Sequence, residues 1–379
     1  MIGSDCLSAC LSVNRSPFLE SLAWALKQVY SHHDVTMCNN SQVISRHDRL
    51  HNSPPPDNKL MKETFDLRHD LVDLNGKIII VTGGNRGTGL ATVKHLAQAG
   101  ATVYMAARNE AKAMEAIEKL NTEGLQPGNG QVKWLKLDLS DPREAKRAAE
   151  VFLEKEKRLD VLINNAGVLS GPFEKNTDGL STMVVVNYIS PYVFTRTLIP
   201  LLTATANEVG SDVRIINLAS IAHRFTPSIV RFSQIEDLNV EYRGRIMSGF
   251  LRYAHSKLLN IIWTRALQKY FDAASPPIPI VAMAIHPGGV DTFSHTWPLP
   301  WFWKPIVALA ISDPEHGSYT SVFAAAAKVV RDEKDKYKGA YLDNKPVGKI
   351  EVPSKAARDD ELADDLRRLT EDLLRSLNI

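Results

Sequence analysis

The chain has 379 residues, of which 44% are hydrophobic and 23% are charged, with a formal net charge of +2. This is the composition of an ordinary globular protein, and the near-neutral charge gives no reason to expect nucleic acid or an anionic membrane as the main partner. All three cysteines lie within the first 38 residues, so the rest of the chain has no disulfide framework and fits a reducing compartment.

Targeting and membrane signals are absent from the sequence pattern. No stretch has the roughly 18 consecutive apolar residues needed to span a bilayer. The first residues lack the positive region and apolar core of a secretory signal, and Asp5 and Glu20 argue against a mitochondrial presequence. We therefore expect no transmembrane segment and a cytoplasmic location.

Residues 1–72 differ in pattern from the rest of the chain, and we expect a largely disordered N-terminal extension. Residues 18–30 could form one short amphipathic helix, and a polar segment then leads to the triple-proline breaker at residues 53–56. The cysteines and histidines of this region match no zinc-binding spacing well, so free thiols and no metal are expected. These residues are Cys6, Cys10, His32, His33 and Cys38.

From residue 73 onward, apolar strand-like runs alternate with helix-like segments. Strands are predicted at residues 77–81, 101–106, 132–137, 160–164, 213–218 and 279–285, with a weaker one at 340–343. Helices are predicted at residues 89–99, 110–120, 143–156, 180–202, 250–271 and 315–331. Short, fully apolar strands between helices indicate a parallel sheet that is covered on both faces. We therefore predict a single doubly wound α/β domain over residues 73–345. Residues 346–379 should add an amphipathic helix that packs on the domain or serves an oligomer interface.

A glycine-rich turn follows the first predicted strand, where residues 82–89 read TGGNRGTG. Such a turn between a strand and a helix directs backbone N–H groups and the helix N-terminus at phosphate. Gly83 permits the sharp turn, while Gly87 and Gly89 allow close approach of the backbone to a ligand and to the sheet. An ordinary tight turn is the alternative. The predicted dinucleotide-binding loop consists of Gly83, Asn85, Arg86, Gly87, Thr88 and Gly89.

The end of the second predicted strand indicates which dinucleotide is bound. An NAD-dependent protein usually carries an acidic residue about 20 positions beyond such a loop, where it holds the ribose 2′-hydroxyl. Here Ala107 and Arg108 occupy that place, which leaves room and a forked donor for a 2′-phosphate. Arg86 can add a second positive charge. NADP(H) is therefore the predicted cofactor, and the alternative is that both arginines are only solvated.

A tyrosine and a lysine share one face of a predicted helix because Tyr253 and Lys257 are four residues apart. A lysine near the phenol favours the phenolate, so we expect Lys257 to lower the pKa of Tyr253. Such a tyrosine can donate a proton to a carbonyl oxygen or remove one from an alcohol. Ser220, after the fifth strand, would hydrogen-bond the same oxygen. Alone this pattern is weak, and its position after the glycine loop gives it weight.

Taken in order, these motifs resemble the short-chain dehydrogenase/reductase superfamily. The loop at 82–89 is followed by NNAG at 164–167, the serine after the fifth strand, YAHSK at 253–257 and PGGVDT at 287–292. The resemblance implies a Rossmann-type parallel sheet over residues 73–345 and hydride transfer between a nicotinamide and a carbonyl or alcohol. The stretch RIINLASIAH at 214–223 and GAYLD at 339–343 are similar to the retinol dehydrogenase-like branch. Ala219 and Thr88 depart from that branch without removing a catalytic group.

Site residues follow from the resemblance. The implied catalytic residues are Asn187, Ser220, Tyr253 and Lys257, with Asn187 holding the water of a proton relay. Asp138 should reach the adenine, and Lys257 the nicotinamide ribose. Beyond the glycine loop and Arg108, the implied cofactor contacts are Asp138, Leu139, Asn165, Ala166, Gly167, Tyr253, Lys257, Pro287, Gly288, Val290 and Thr292.

The segment at residues 293–311 should form a flap over the substrate. Its aromatic side chains favour a hydrophobic carbonyl substrate, such as a terpenoid, a polyketide-derived or an aryl compound of specialised metabolism. The alternatives are that these rings only pack the flap on the body, or that they meet a membrane or a partner chain. The aromatic residues are Trp297, Trp301, Phe302 and Trp303.

Other interpretations of the site stay open at this point. His223 and His255 lie near the motifs but are expected to be structural, since the tyrosine and lysine already supply the acid and base. A catalytically silent nucleotide-binding scaffold is the main alternative function, and the complete catalytic set argues against it. An epimerase or dehydratase would normally need a larger C-terminal substrate domain. The sequence does not decide the oligomeric state.

Overall fold

The computed structural model describes residues 65–227, 230–288 and 314–379, and within them eight strands form one sheet in the order β3-β2-β1-β4-β5-β6-β7-β8. Strands β1 to β7 run parallel and β8 pairs with β7 in the antiparallel direction. The predicted doubly wound α/β fold is therefore confirmed. The strands are β1 Ile78–Thr82, β2 Thr102–Ala107, β3 Gln131–Lys136, β4 Val161–Asn164, β5 Val213–Leu218, β6 Ile280–Ile285, β7 Tyr341–Asn344 and β8 Val347–Glu351.

Helices cover both faces of this sheet. Helices α3, α4, α5 and α9 pack on one face, and α1, α2 and α6 pack on the other. Their bounds are α1 Gly87–Gln98, α2 Glu110–Glu123, α3 Pro142–Lys155, α4 182–206, α5 Ser248–Ala273, α6 Pro314–Ala326, α7 Lys328–Asp332, α8 Lys334–Tyr337 and α9 Asp360–Ser376. None of the helices in the described ranges is long and apolar enough to cross a membrane.

Strand β1 shows why the strand sequences consist of consecutive apolar residues. Ile80 packs into the cluster on one face, while its neighbours Ile79 and Val81 pack into the cluster on the other. All three side chains are fully buried. Burial of each contributes about 1.5–3 kcal/mol, so a strand with both faces covered selects apolar residues at every position.

The helix predicted at residues 315–331 is interrupted at Ala327. This residue is extended, with φ −65° and ψ 138°, and forms an isolated antiparallel bridge with Leu71. The backbone N–H of Val72 donates to the carbonyl of Ala326 (2.8 Å), and that of Lys328 donates to the carbonyl of Asp70 (2.8 Å). Residues 70–72, which the sequence analysis assigned to the N-terminal extension, thus pack on the domain.

Strand β8 is an element that the sequence analysis missed. It falls in the region predicted as the C-terminal helix, whose helical part begins at Asp360. Gly348 in this strand has φ +77°, and a Cβ there would collide with the ring of Phe323. A five-residue edge strand with such a glycine has little apolar periodicity, and therefore no clear signal in the sequence.

The described residues do not include the amphipathic helix predicted at 18–30, the cysteine-containing region at 6–38 or the aromatic flap predicted at 293–311.

Candidate active site

The glycine-rich loop joins β1 to α1 at the carboxyl edge of the sheet, next to the point where the strand order reverses between β1 and β4. Gly83 and Gly87 have positive φ values of 66° and 55°. Gly89 is buried, and a Cβ there would collide with the carbonyl oxygen of Gly83. In this fold, ligands bind in the crevice at such a reversal of strand order.

The N-terminus of α1 is open toward this crevice. Arg86 precedes the helix in an extended conformation, and no side chain caps the first N–H groups. The first turn holds no acidic residue, and a Cβ at Gly87 would meet nothing within 4 Å. Uncapped helix N–H groups beside open space are a suitable site for a pyrophosphate. The loop therefore fits the predicted dinucleotide.

The NNAG turn after β4 is fastened to the glycine loop. The side-chain amide of Asn165 donates to the carbonyl of Thr82 (2.8 Å), and the backbone N–H of Ala166 donates to Thr82 Oγ1 (3.0 Å). Gly167 continues this turn toward the residues predicted as catalytic. A Cβ built on Gly167 would lie 3.3 Å from Asn187 Oδ1 and 3.5 Å from Lys257 Nζ.

The residues predicted to select the nucleotide directly follow the carboxyl ends of β2 and β3. Arg108 follows β2 and is exposed, as is Arg86 in the glycine loop. Asp138 follows β3 and accepts a hydrogen bond from the backbone N–H of Ser140 (2.9 Å), while Leu139 is buried. All four residues lie at the same edge of the sheet as the glycine loop, because β2 and β3 run parallel to β1.

Asn187 lies in a π-helical segment, Val185–Ile189, inside α4. Its Oδ1 accepts from the backbone N–H of Val168 (2.7 Å), and its Nδ2 donates to the Val168 carbonyl (2.9 Å) and to Ser256 Oγ (2.9 Å). Protein groups thus hold the side chain of Asn187 between the NNAG turn and α5. The proton-relay role of this residue stays a prediction.

Ser220, Tyr253 and Lys257 meet where β5 ends and α5 passes over it. The side chain of Ser220 lies close enough to the hydroxyl of Tyr253 to lower its pKa. Lys257 Nζ donates to the carbonyl of Leu218 (2.7 Å) and lies 5.6 Å from the centroid of the Tyr253 ring. The structure therefore brings together all four side chains that the sequence analysis proposed as catalytic.

The prediction that Lys257 lowers the pKa of Tyr253 is wrong for the protein without a bound cofactor. Burial raises the pKa of Tyr253 to about 12, and the side chain of Ser220 only partly opposes this effect. Burial also lowers the pKa of Lys257 to about 8. The physical reason is desolvation, which disfavours the phenolate and the ammonium alike.

A buried amide network behind the site was not found from the sequence. Asn164 Nδ2 donates to Asn217 Oδ1 (2.8 Å), and Asn217 Nδ2 donates to Thr264 Oγ1 (2.9 Å). Asn260 Nδ2 donates to the Leu218 carbonyl (3.0 Å), which Lys257 also contacts. These residues link β4, β5 and α5. Two asparagines inside otherwise apolar strands were the available signal, since buried polar groups need partners.

The stretch after β6 supplies the last predicted contacts. Gly288 has φ +94°, and a Cβ there would collide with the side-chain amide of Asn344 at the end of β7. Pro287 beside it is half-buried. The predicted contacts Val290 and Thr292 lie outside the described residues.

Comparison with known proteins identifies the family. The family model for short chain dehydrogenase matches residues 77–230. A short-chain dehydrogenase/reductase of Armillaria gallica is 43% identical over 316 residues, which cover 81% of this chain and 95% of that relative. Human retinol dehydrogenase 11 is 34% identical over 256 residues, covering 67% of this chain and 74% of its own. The chain therefore belongs to the short-chain dehydrogenase/reductase family of oxidoreductases, and the predicted resemblance is confirmed.

Solved structures agree on the fold. An uncharacterized protein from Mycobacterium paratuberculosis is 27% identical, with a TM-score of 0.61 over 82% of this chain and 98% of that one. Other structures with this fold hold NADP in one case and NAD in another. These two structures bear on the fold of this chain and do not choose between the two dinucleotides.

Proposed function

We propose that this chain is an NADP(H)-dependent reductase or dehydrogenase that interconverts a carbonyl and an alcohol on a hydrophobic small molecule. The observation that carries the proposal is the meeting of Tyr253, Ser220 and Lys257 where β5 ends, with Asn187 near Lys257 and the glycine loop at the same edge of the sheet. This arrangement supports Tyr253 as a proton donor beside the proposed nicotinamide site.

The side chains divide the chemistry between them. A bound reduced nicotinamide supplies the hydride. Tyr253, kept protonated by burial, donates its proton to the carbonyl oxygen, and Ser220 holds that oxygen by a hydrogen bond. Lys257, with a pKa of about 8, is mainly charged at neutral pH and stabilises negative charge that develops on the phenol. In the oxidation direction the phenolate of Tyr253, stabilised by Lys257, accepts the proton of the alcohol.

The preference for NADP(H) rests on Arg108 and Arg86. Both are exposed at the edge of the crevice, and Ala107 and Arg108 stand where an NAD-dependent protein would carry a carboxylate. A guanidinium can bind a 2′-phosphate with two parallel hydrogen bonds.

Fluorescence titration with NADPH and with NADH tests this preference directly. Arg108→Asp should weaken NADPH binding by about 10–100-fold, as expected for loss of a charge-assisted contact of 1.5–3 kcal/mol, and should leave NADH binding nearly unchanged. Arg367→Asp, an equal charge change at an exposed residue of α9, is the control and should alter neither affinity. A wild-type chain that binds NADH as tightly as NADPH would contradict the proposed preference.

The hydrophobic substrate is supported by an apolar cluster around Tyr253. This cluster, here the apolar wall, contains the edge-to-face ring pair of Phe225 and Phe250, whose centroids are 5.5 Å apart. Its members come from the turn after β4, from α4, from the turn after Ser220 and from α5. They are Val168, Leu169, Met183, Ala222, Phe225, Phe250, Tyr253 and Ala254. Pockets for small molecules are lined mainly by such side chains.

Kinetics with aldehydes of increasing chain length test the apolar wall. Phe250→Ala should raise KM for long aldehydes by about tenfold, which corresponds to loss of 1–2 kcal/mol of apolar contact, and should change KM for short ones little. Tyr270→Ala, an exposed aromatic residue on the same helix, is the control. Equal effects on short and long aldehydes would argue against an apolar substrate pocket here.

A catalytically silent nucleotide-binding scaffold is not favoured, because such a protein needs no buried lysine and no hydroxyl pair. The cytoplasmic location and the role in specialised metabolism stay predictions.

A further inference from the structure

His223 connects the catalytic serine to the C-terminal part of the chain. It lies in a 3₁₀ turn, Ile221–Phe225, directly after Ser220, and is only 1% exposed. Its Nδ1 is 2.7 Å from the carbonyl oxygen of Ser220. On the opposite side of the ring, the backbone N–H of Ser354 donates to Nε2 (3.1 Å). Ser354 follows β8, so the ring bridges two segments that are more than 100 residues apart.

These two partners define the protonation of the ring. A carbonyl oxygen can only accept, so Nδ1 must carry a proton, and a backbone N–H can only donate, so Nε2 must not carry one. The ring is therefore the neutral Nδ1–H tautomer. A second proton on Nε2 would direct the ring N–H against the backbone N–H of Ser354. Burial acts in the same direction, since it lowers the pKa of His223 to about 4.

The bridge fixes the position of Ser220 from several sides. The backbone N–H of His223 donates to the same Ser220 carbonyl (3.1 Å), and the backbone N–H of Ala222 donates to Ser220 Oγ (3.2 Å). A second link lies nearby, where the guanidinium of Arg224 donates to the carbonyl of Val352 (2.6 Å). The ring of Tyr341 in β7 packs edge-to-face on the imidazole at 5.0 Å.

Resting on the proposed function, we propose that His223 is a positioning residue for catalysis. Its neutral ring holds the Ser220 backbone so that the hydroxyl stays aligned with Tyr253, and it anchors this alignment to the segment after β8. The chemistry itself remains with Ser220 and Tyr253. Misplacing a catalytic group by about 1 Å can cost on the order of 100-fold in rate, so such an anchor has a measurable effect.

Two substitutions at His223 separate the halves of the bridge. The amide of asparagine can place its N–H close to the position of Nδ1, so His223→Asn can keep the bond to Ser220 and lose the one to Ser354. Glutamine reaches the position of Nε2, so His223→Gln can accept from Ser354 and lose the bond to Ser220. We expect kcat to fall about 10–100-fold in His223→Gln and much less in His223→Asn, with KM and the Kd for NADPH within about twofold of wild type.

A variant pair at the far end tests the anchor. Ser354→Pro removes the N–H that donates to His223, whereas Ser354→Ala keeps it, and no described residue pairs with the Ser354 hydroxyl. The proline variant should lower kcat by up to about tenfold and the alanine variant should not. Equal loss of kcat in His223→Asn and His223→Gln, together with equal loss of stability, would reduce His223 to a packing residue and overturn the proposal.

The ring itself gives a measurement that does not depend on turnover. Imidazole ¹⁵N chemical shifts of His223 should show the Nδ1–H tautomer, assigned by comparison with His223→Gln. An Nε2–H or doubly protonated ring at neutral pH would overturn the bridge even in an active enzyme. If the wild-type chain bound NADPH but reduced no aldehyde, the proposed function would fail first, and the positioning role with it.

Discussion

Lys257 Nζ donates a 2.7 Å hydrogen bond to the carbonyl oxygen of Leu218, two residues before Ser220. Asn260, one turn further along α5, donates to the same oxygen (3.0 Å). Two donors from one helix thus fasten α5 to the carboxyl end of β5. Since Tyr253 lies one turn before Lys257 on α5, this attachment also sets the distance between the Tyr253 hydroxyl and Ser220.

Removal of the Tyr253 hydroxyl should abolish most turnover and spare the fold. Tyr253→Phe keeps the ring that packs in the apolar wall and deletes the hydroxyl on which Ser220 acts. We expect kcat to fall by about 10²–10⁴-fold, the usual contribution of a general acid, while NADPH affinity changes little. Steady-state turnover and nucleotide titration measure the two effects separately.

Tyr242→Phe is the matched control for that experiment. Tyr242 lies in the segment between Ser220 and Tyr253, and its hydroxyl contacts His255 Nδ1 at 3.3 Å. The variant therefore removes a phenolic hydroxyl outside the site. Full activity in Tyr253→Phe would rule out the proposed acid, and a similar loss in both variants would indicate a general structural effect.

The buried amine of Lys257 should give the stability of the protein a specific pH dependence. Burial lowers the pKa of Lys257 from its ordinary 10.5 to about 8. Between these pH values the unfolded chain holds a proton on this amine that the folded chain has released, so the free energy of unfolding rises with pH. Below pH 8 both states hold the proton, and the buried charge costs its full amount.

Comparison with Lys257→Met isolates this contribution. Urea unfolding of both proteins between pH 8 and about 10 should show the wild type gaining about 1 kcal/mol per pH unit relative to the variant. Tyrosines with raised pKa values act in the opposite direction but are common to both proteins. Lys112→Met, an exposed lysine of α2, should follow the wild type. If the free energies of unfolding of wild type and Lys257→Met differed by the same amount at every pH in this range, the amine would not be desolvated.

Most of the parallel sheet could be predicted because its strands are buried on both faces. Strand β5 was predicted with its observed bounds, and β1 to β4 and β6 differ by one residue at one or both ends. The meeting of the proposed catalytic side chains could be predicted for a related reason. The parallel strands end at one edge of the sheet, so motifs placed after successive strands must converge there.

The features that the sequence analysis did not predict depend on tertiary contacts, which leave no local pattern in the sequence. The break at Ala327 follows from its bridge with Leu71, which is distant in sequence. The π-helical turn at Asn187 follows from the paired hydrogen bonds with Val168. The raised pKa of Tyr253 follows from burial, which sequence spacing to Lys257 could not reveal.

Two glycines of the nucleotide-binding loop should respond differently to alanine. In Gly89→Ala the new methyl group would collide with the Gly83 carbonyl and lie 2.6 Å from Asn165 Nδ2, so the backbone must move. We expect a lower midpoint of thermal unfolding and weaker NADPH binding. In Gly87→Ala the methyl group meets open space, and positive φ costs about 1–2 kcal/mol. Nucleotide affinity should also fall, because the proposed site places the pyrophosphate against this loop.

Gly124→Ala provides the control for backbone strain. Gly124 ends α2 with φ +84° and open space around its Cβ position, at a distance in sequence from every predicted nucleotide contact. The Gly124→Ala variant should lose at least as much stability as Gly87→Ala, because ψ at Gly124 is 146° and this backbone region is essentially restricted to glycine. It should bind NADPH like the wild type. Normal NADPH affinity in Gly87→Ala would show that the nucleotide does not pass over this loop.

Arg214 should stabilise the domain without taking part in its chemistry. This fully buried residue of β5 forms an ion pair with Asp212 (2.5 Å) and donates to the carbonyls of Ala324 and Ala327 (both 3.0 Å). Arg214→Met leaves the two carbonyls without this donor and leaves Asp212 with only the longer ion pair to Lys334 (3.9 Å), so the free energy of unfolding should fall by about 3 kcal/mol in urea titrations. Adding Asp212→Asn should recover part of that loss, because the remaining partly buried charge is removed. Nucleotide affinity should stay at the wild-type value in both variants. An unchanged free energy of unfolding would mean that water replaces the guanidinium at the end of α6.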